Sequence, residues 1–388
     1  MQRNAGIILS IGLALIFSNG MGQTDSLENA LQNTTGAAKV KTLNELYKVF
    51  INSEPDKALK YTVDAFELAK EIEDERGIAT CYNNMGVFYK NQGTLDKALD
   101  YYLKALSLGQ TIHDKDLIAN LYNNIGTIYS IKKEYRQAED YYKRSYNILD
   151  SLGNKINMVG SLNNLGNVYA ETGRSSEAIE YYRQAVEIYS ESGQTRNSHE
   201  PLTSIGNVHF RNADYDKALE YFNQAFEIEK ENNNLFGQAR ALHDMGLTHL
   251  RKENYGEALL TVESALEIAD QLGAVPILEV IYKALAEIYY TTGDIKRAYE
   301  SIILYEQMRD LQFNETTSRK LAELDVAYEF ERLEKEIEEL RQENEINSLR
   351  AENSRVVILV GIMGTLIIVG ALFVYYATRK KTKKKATT

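Results

Sequence analysis

Gly86, Gly126, Gly166, Gly206 and Gly246 stand 40 residues apart, and Ala286 takes the sixth place. A second ladder holds Ala98, Ala138, Ala178, Ala218, Ala258 and Ala298 at the same step. Neither ladder is interrupted by an insertion. A fixed period of this size restricts the chain to a solenoid or array, in which each unit buries its apolar face against its neighbours.

Short polar stretches, such as NQGTLD, KKEYRQ and ETGRSS, separate the two ladders. Apolar residues flank them at helical spacing: Leu121, Ile125, Ile128 and Tyr129, then Ala138, Tyr141, Tyr142 and Tyr146. The spacing predicts two antiparallel helices per unit, joined by a turn of a few residues. The small ladder residues then fall where helices approach closely, between large Tyr, Phe and Leu side chains. A degraded first unit is expected at Leu43, Leu46 and Phe50, then Ala58, Tyr61 and Ala65, with Pro55 opening its second helix. The fold class is therefore all-α: an α-solenoid of about seven helix pairs over 40–313. The polar residues 23–39 are expected to be a flexible lead.

The units share a finer pattern. One reads Tyr82, Met85, Gly86, Tyr89, Ala98, Tyr102, Ala105, and the next Tyr122, Ile125, Gly126, Tyr129, Ala138, Tyr142, Ser145. A third reads Leu162, Leu165, Gly166, Tyr169, Ala178, Tyr182, Ala185. This pattern resembles the tetratricopeptide repeat family. The chain departs from it where His209 and His249 replace Tyr, where Val262 replaces an aromatic, and in lacking a late Pro. Its period is also about six residues longer than the family's usual 34, which fits longer helices.

The resemblance implies a concave groove lined by the first helix of each pair, taking a protein or peptide ligand. On those helices Asn83, Asn123 and Asn163 recur in phase, each followed by a second amide at Asn84, Asn124 and Asn164. Thr127, Asn167 and Asn207 share the groove face. An amide both donates and accepts, so such a ladder suits a peptide backbone. The wording LNNLG is similar to repeats of kinesin light chains, where such Asn residues face cargo. One Asn of each pair is expected to meet the peptide and the other to bond the neighbouring repeat. Farther along, Arg240, His243, Leu247 and Leu250 make the face larger and more mixed.

The ends differ in character. Residues 1–22 carry Arg3, an apolar run from Ala5 to Phe17, and small residues after it, as a secretory signal does. Over 314–355 a juxtamembrane helix is expected, with Val326, Phe330, Leu333, Ile337 and Leu340 forming a coiled-coil seam that would pair two chains. Residues 356–377 form an uncharged run of transmembrane length. The basic tail 378–388 would stay cytoplasmic, leaving the repeats outside. The layout resembles the input half of bacterial membrane sensors and regulators with such repeats, without their output domain. It implies a single-pass protein of the bacterial inner membrane with periplasmic repeats.

No catalytic constellation appears: no phosphate-binding loop, no HExxH and no nucleophile elbow. No metal or other cofactor is expected. His209 and His249 stand in a Tyr column, so packing accounts for them, and Cys81 reads as inert core. Formal net charge is −11, which disfavours nucleic acid as a partner. The expected role is a membrane-anchored scaffold or adaptor, with a sensory input protein as the alternative.

Overall fold

The computed structural model describes the backbone of residues 26–385. Side chains are described up to residue 313, at 323–324 and 326–340, and at scattered positions from 342 to 372. The signal sequence expected over 1–22 lies outside the described residues. The chain divides into two compact units after Ala327.

Residues 26–33 form helix α1. There follow α2 (Gly36–Phe50), α3 (Pro55–Glu71), α4 (Glu75–Asn91), α5 (Leu95–Thr111), α6 (Lys115–Ile131), α7 (Tyr135–Ser151), α8 (Lys155–Glu171) and α9 (Ser175–Glu191). After a 3₁₀ turn at Thr195–Asn197 come α10 (His199–Arg211), α11 (Tyr215–Glu231), α12 (Leu235–Arg251), α13 (Tyr255–Leu272), α14 (Val275–Thr292) and α15 (Ile295–Lys385). No strand occurs among the described residues. From α2 onward the helices form seven pairs, with α2 and α3 as unit one and α14 with the start of α15 as unit seven. The 40-residue period is two 20-residue halves, most of them a 17-residue helix and a three-residue turn.

From α3 onward the turns share a closure. The second residue after each of α3 to α12 is left-handed, from Glu73, Gly93, His113, Lys133 and Gly153 to Glu253, and after α13 and α14 the first residue is, Gly273 and Gly293, so that the position recurs every 20 residues. At the first of the glycines, the amide of Gly93 reaches Lys90 O at 3.0 Å and that of Thr94 reaches Tyr89 O at 2.9 Å. This double bond satisfies the orphan carbonyls of the helix end. The next residue often caps the following helix: Asp74 and Asp114 accept from the amides of Gly77 and Leu117, both at 3.0 Å.

The glycine ladder is explained by the residue sixteen positions on. A β-carbon on Gly86 would lie 2.4 Å from the Tyr102 ring, and one on Gly126 2.8 Å from Tyr142. On Gly206 it would lie 2.6 Å from Phe222, and on Gly246 2.3 Å from Val262. In unit seven the corresponding residue, Ile302, is 47% exposed, and the ladder position is Ala286. The alanine ladder from Ala98 to Ala258 is wholly buried.

Two sequence expectations, the flexible lead and the start of the last helix, are corrected here. The lead is partly ordered: Leu27 and Leu31 of α1 pack on the cluster of Leu46, Tyr47, Phe50 and Ala58, and Lys57 bridges Glu28 at 2.9 Å. Helix α10 has 13 residues where its neighbours have 17, because Pro201 lacks an amide hydrogen and fits only a first turn. The final long helix begins at Ile295, not at 314, since neither Gly nor Pro interrupts the sequence from 295 to 360.

Of the expected seam, Val326 and Phe330 are buried and Leu340 is 54% exposed. Among the described residues no helix is long and apolar enough to cross a membrane. Most side chains of the expected span 356–377, and all those of the tail 378–388, lie outside those residues.

Candidate functional site

The inner surface follows from which helices touch. First helices of successive pairs meet: α2 with α4, α4 with α6, α6 with α8, α8 with α10, and α12 with α14. Second helices of successive pairs show no comparable contact among the described residues. The array therefore curves with its first helices on the concave side.

That side holds a concavity of about 740 Å³ between α2, α4 and α6. Asn83, Asn84, Asn123 and Asn124 all line it, so the structure gathers four of the expected groove residues in one place. The amides form an inter-repeat relay. Asn84 Nδ2 donates to Asn44 Oδ1 at 2.8 Å, Asn124 Nδ2 to Asn83 Oδ1 at 2.7 Å, and Asn164 Nδ2 to Asn123 Oδ1 at 3.0 Å. The second Asn of each pair thus donates backwards to the preceding repeat. The carbonyls of Asn83 and Asn123 are occupied, and their Nδ2 groups take no part in the relay. At the far end, Ser204 stands where the next donor would be, and the buried Oδ1 of Asn163 has no partner.

Other expected site residues serve packing. Thr127 accepts the Tyr142 hydroxyl at 3.2 Å, and Asn167 accepts that of Tyr182 at 2.6 Å. In unit two Val87 stands in that place, and the Tyr102 hydroxyl is buried without a partner. In unit five the ring is Phe222, which has no hydroxyl to offer the exposed Asn207. Asn207 instead lines a second concavity of about 320 Å³, with His199, Arg240 and Asp244. Leu250, expected on this face, is buried in the core.

Several lining residues gave no repeating signal. Lys41, Glu45, Arg76 and Asp116 lie around the first concavity. Arg76 is held by Asp114 at 2.8 Å. In the second, the Glu229 carboxylate is buried, accepts from Asn234 Nδ2 at 2.8 Å and lies 3.6 Å from His199 Nε2. Residues in the column of Glu229 are Ala69, Gly109, Leu149, Tyr189 and Ala269, so this acid breaks an otherwise apolar column.

The two histidines of the Tyr column and the cysteine behave as packing groups. The His209 ring stacks on Tyr221 with centroids 5.6 Å apart. Cys81 is fully buried, and burial pushes its thiol far above the ordinary range. Among the described residues no group of three His, Cys, Asp or Glu side chains is arranged to hold a metal ion.

The tetratricopeptide repeat family matches this sequence at residues 77–151, 117–191 and 198–271. Among solved structures, a signal transduction ATPase with numerous domains from Pyrococcus horikoshii, which carries a tetratricopeptide repeat sensor, aligns over 80% of this chain and 50% of its own. Its TM-score is 0.55 at 18% identity. Aspartyl phosphate phosphatase F from Bacillus subtilis aligns over 80% and 85% (TM-score 0.53, 15% identity). A Rap protein complexed with competence and sporulation factor aligns over 83% and 98% (TM-score 0.51, 16% identity). At these identities the likeness is one of fold. No curated protein matches the sequence.

Proposed function

For a chain that belongs to the tetratricopeptide repeat family, we propose the role of a non-enzymatic scaffold or adaptor that holds an extended protein segment or peptide in the concavity between α2, α4 and α6. The observation that carries this reading is the amide relay. It fixes the side chains of Asn83 and Asn123 through their carbonyls and leaves their Nδ2 groups to donate. Such donors can meet the carbonyls of a main chain and are indifferent to its side chains. The Rap neighbour, which is complexed with competence and sporulation factor, supports a bound partner on such an array.

The proposal includes a membrane setting, argued from sequence. Residues 1–22 act as a secretory signal, 356–377 as the span and 378–388 as a cytoplasmic basic tail, with the repeats on the extracytoplasmic side. In a bacterium this is the inner membrane, with the repeats in the periplasm. Pairing of two chains would use the seam of Val326, Phe330, Leu333, Ile337 and Leu340. The sensor in the Pyrococcus horikoshii neighbour favours a second reading: sensory input passed to a separate cytoplasmic kinase or regulator.

Photocrosslinking in cells tests both. A probe at Asn123 should capture a specific protein that a probe at exposed Asp150 on α7 does not. The same products at both positions, or none at Asn123, would overturn the groove assignment. A discrete protein captured at Lys381 would favour the sensor, and lipid alone there the adaptor.

A further inference from the structure

The outer, second-helix side carries a column of tyrosines: Tyr101, Tyr141, Tyr181 and Tyr221. In units two and three the chain places its own cation on that ring. Lys104 Nζ lies 4.8 Å from the Tyr101 centroid and 5.7 Å from that of Tyr82. One repeat on, Arg144 Cζ lies 5.5 Å from Tyr141 and 5.8 Å from Tyr122. Each cation lies over two rings, as expected for cation–π attraction, and pairs with a carboxylate one turn back, Lys104 with Asp100 at 3.4 Å and Arg144 with Asp140 at 2.9 Å.

Unit four keeps the tyrosine and loses the cation. The residue in phase with Lys104 and Arg144 is Gln184, and Leu162 stands in phase with Tyr82 and Tyr122. At this place the surface opens into a cavity of about 600 Å³ between α7 and α9. Tyr146, Tyr169 and Tyr181 line it, with Lys143, Glu177 and Glu180 as its charged residues. The charges nearby are committed in a way that leaves the cavity acidic. Lys143 is bound to Glu139 at 2.7 Å, and Arg174 lies over Tyr169 at 3.7 Å while bridging Glu139 at 3.0 Å. Glu180 accepts the neutral amide of Gln184 at 3.0 Å, and Glu177 lies 4.0 Å from Arg174. The next joint, between α9 and α11, does not repeat the arrangement: there His209 replaces Tyr169, Val186 replaces Tyr146 and Lys217 replaces Glu177.

We propose that the cavity between α7 and α9 is a binding site for an organic cation, an ammonium or guanidinium group supplied from outside the chain. The guest takes the place that Lys104 and Arg144 fill in the two preceding units. The tyrosine rings attract the charge, and Glu177 and Glu180 supply the compensating carboxylates. The volume suits a side-chain-sized ligand. The site is built mainly on the second helices α7 and α9 and shares no lining residue with the amide-lined concavity, so it stands or falls independently of the groove.

The test is saturation-transfer NMR on the purified full-length chain in a maltoside detergent. The probes are N-acetylarginine amide, N-acetyllysine amide and choline, with N-acetylcitrulline amide as the neutral isostere. Binding of at least one cation, with citrulline inert, is the expected result. Gln184→Lys restores the chain's own cation and should weaken that binding at least about fivefold, within the range of cation–π contributions. This variant offers Tyr181 the cation that Lys104 offers Tyr101, at a half-buried surface position, so folding is preserved. Arginine or lysine binding without choline assigns the site to a protein side chain, and choline alone to a quaternary ammonium ligand. Equal binding of citrulline, indifference to Gln184→Lys, or no binding by any cation would overturn the proposal.

Discussion

The ring of Tyr182 lies so close to Gly166 that a β-carbon there would stand 2.5 Å from it. Gly166→Ala must therefore displace a buried ring between paired helices, at a cost of about 1–3 kcal/mol. Gly160, on the same helix α8, has nothing within 4 Å of an added β-carbon. Gly160→Ala should instead stabilise by about 0.5–1 kcal/mol through helix propensity. Urea melts followed by circular dichroism should show shifts of opposite sign. Two shifts of the same sign would refute the packing role of the glycine ladder.

Three equivalent tyrosines should respond differently to loss of the hydroxyl. Tyr182 and Tyr142 donate to Asn167 and Thr127, so Tyr182→Phe should lose about 0.5–1.5 kcal/mol. The Tyr102 hydroxyl is buried without a partner, and Tyr102→Phe should be neutral or slightly stabilising. Thermal melts of the two variants provide the comparison, and a larger loss at Tyr102 would contradict it.

The left-handed position before each helix start is occupied by glycine in only some turns. Lys133 (φ 61°) and Glu253 (φ 61°) adopt a conformation that strains an L side chain. Lys133→Gly and Glu253→Gly should each stabilise by about 0.5–1 kcal/mol, whereas Gly173→Ala should destabilise by a similar amount. Denaturation midpoints check all three, and lower midpoints for the two glycine variants would be the adverse result.

Acid should loosen the joint between units three and four. Burial alone would raise the Glu139 carboxyl, but hydrogen bonds from Lys143, Tyr169 and Arg174 bring it from 4.5 down to about 2. A carboxylate with a depressed folded pKa stabilises above its unfolded value and loses that contribution as pH falls towards the folded one. About 1–2 kcal/mol should thus be present above pH 4.5 and disappear between there and about pH 2. Glu139→Gln should be less stable than the parent at pH 7, with the gap narrowing through this window. A gap independent of pH would exclude Glu139 as its source.

The sequence made the helix pairing legible because Gly86 and its successors can be aligned by eye and each requires a large partner sixteen residues on. Pro55 marked its helix start for the same local reason. The turns were harder to read, since Glu73, His113, Lys133 and Ala213 carry no signature of a left-handed residue. Their conformation is imposed by the helix ends on either side. The shortening of α10 was visible in Pro201 but hidden by the unbroken register around it. The Asn pairs were plain as a repeating motif. Their use of one another, from Asn124 to Asn83 and Asn164 to Asn123, depends on how closely first helices approach, which no single helix encodes. Glu229 had no periodic counterpart to draw attention to it.

The 20-residue cadence also bears on how such a chain can change length. Removing 115–154 would join Asp114 to Lys155, and Asp114 would again precede a helix opening with lysine, as it now precedes Lys115. The same turn and a closely similar packing interface would form at the new junction. Deleting 20 residues would place two helices of the same kind in succession, and any other number would break the phase outright. Viable lengths of this array are accordingly quantised in steps of one pair, and the reach of its inner surface can grow or shrink by copying errors alone, without inventing a joint.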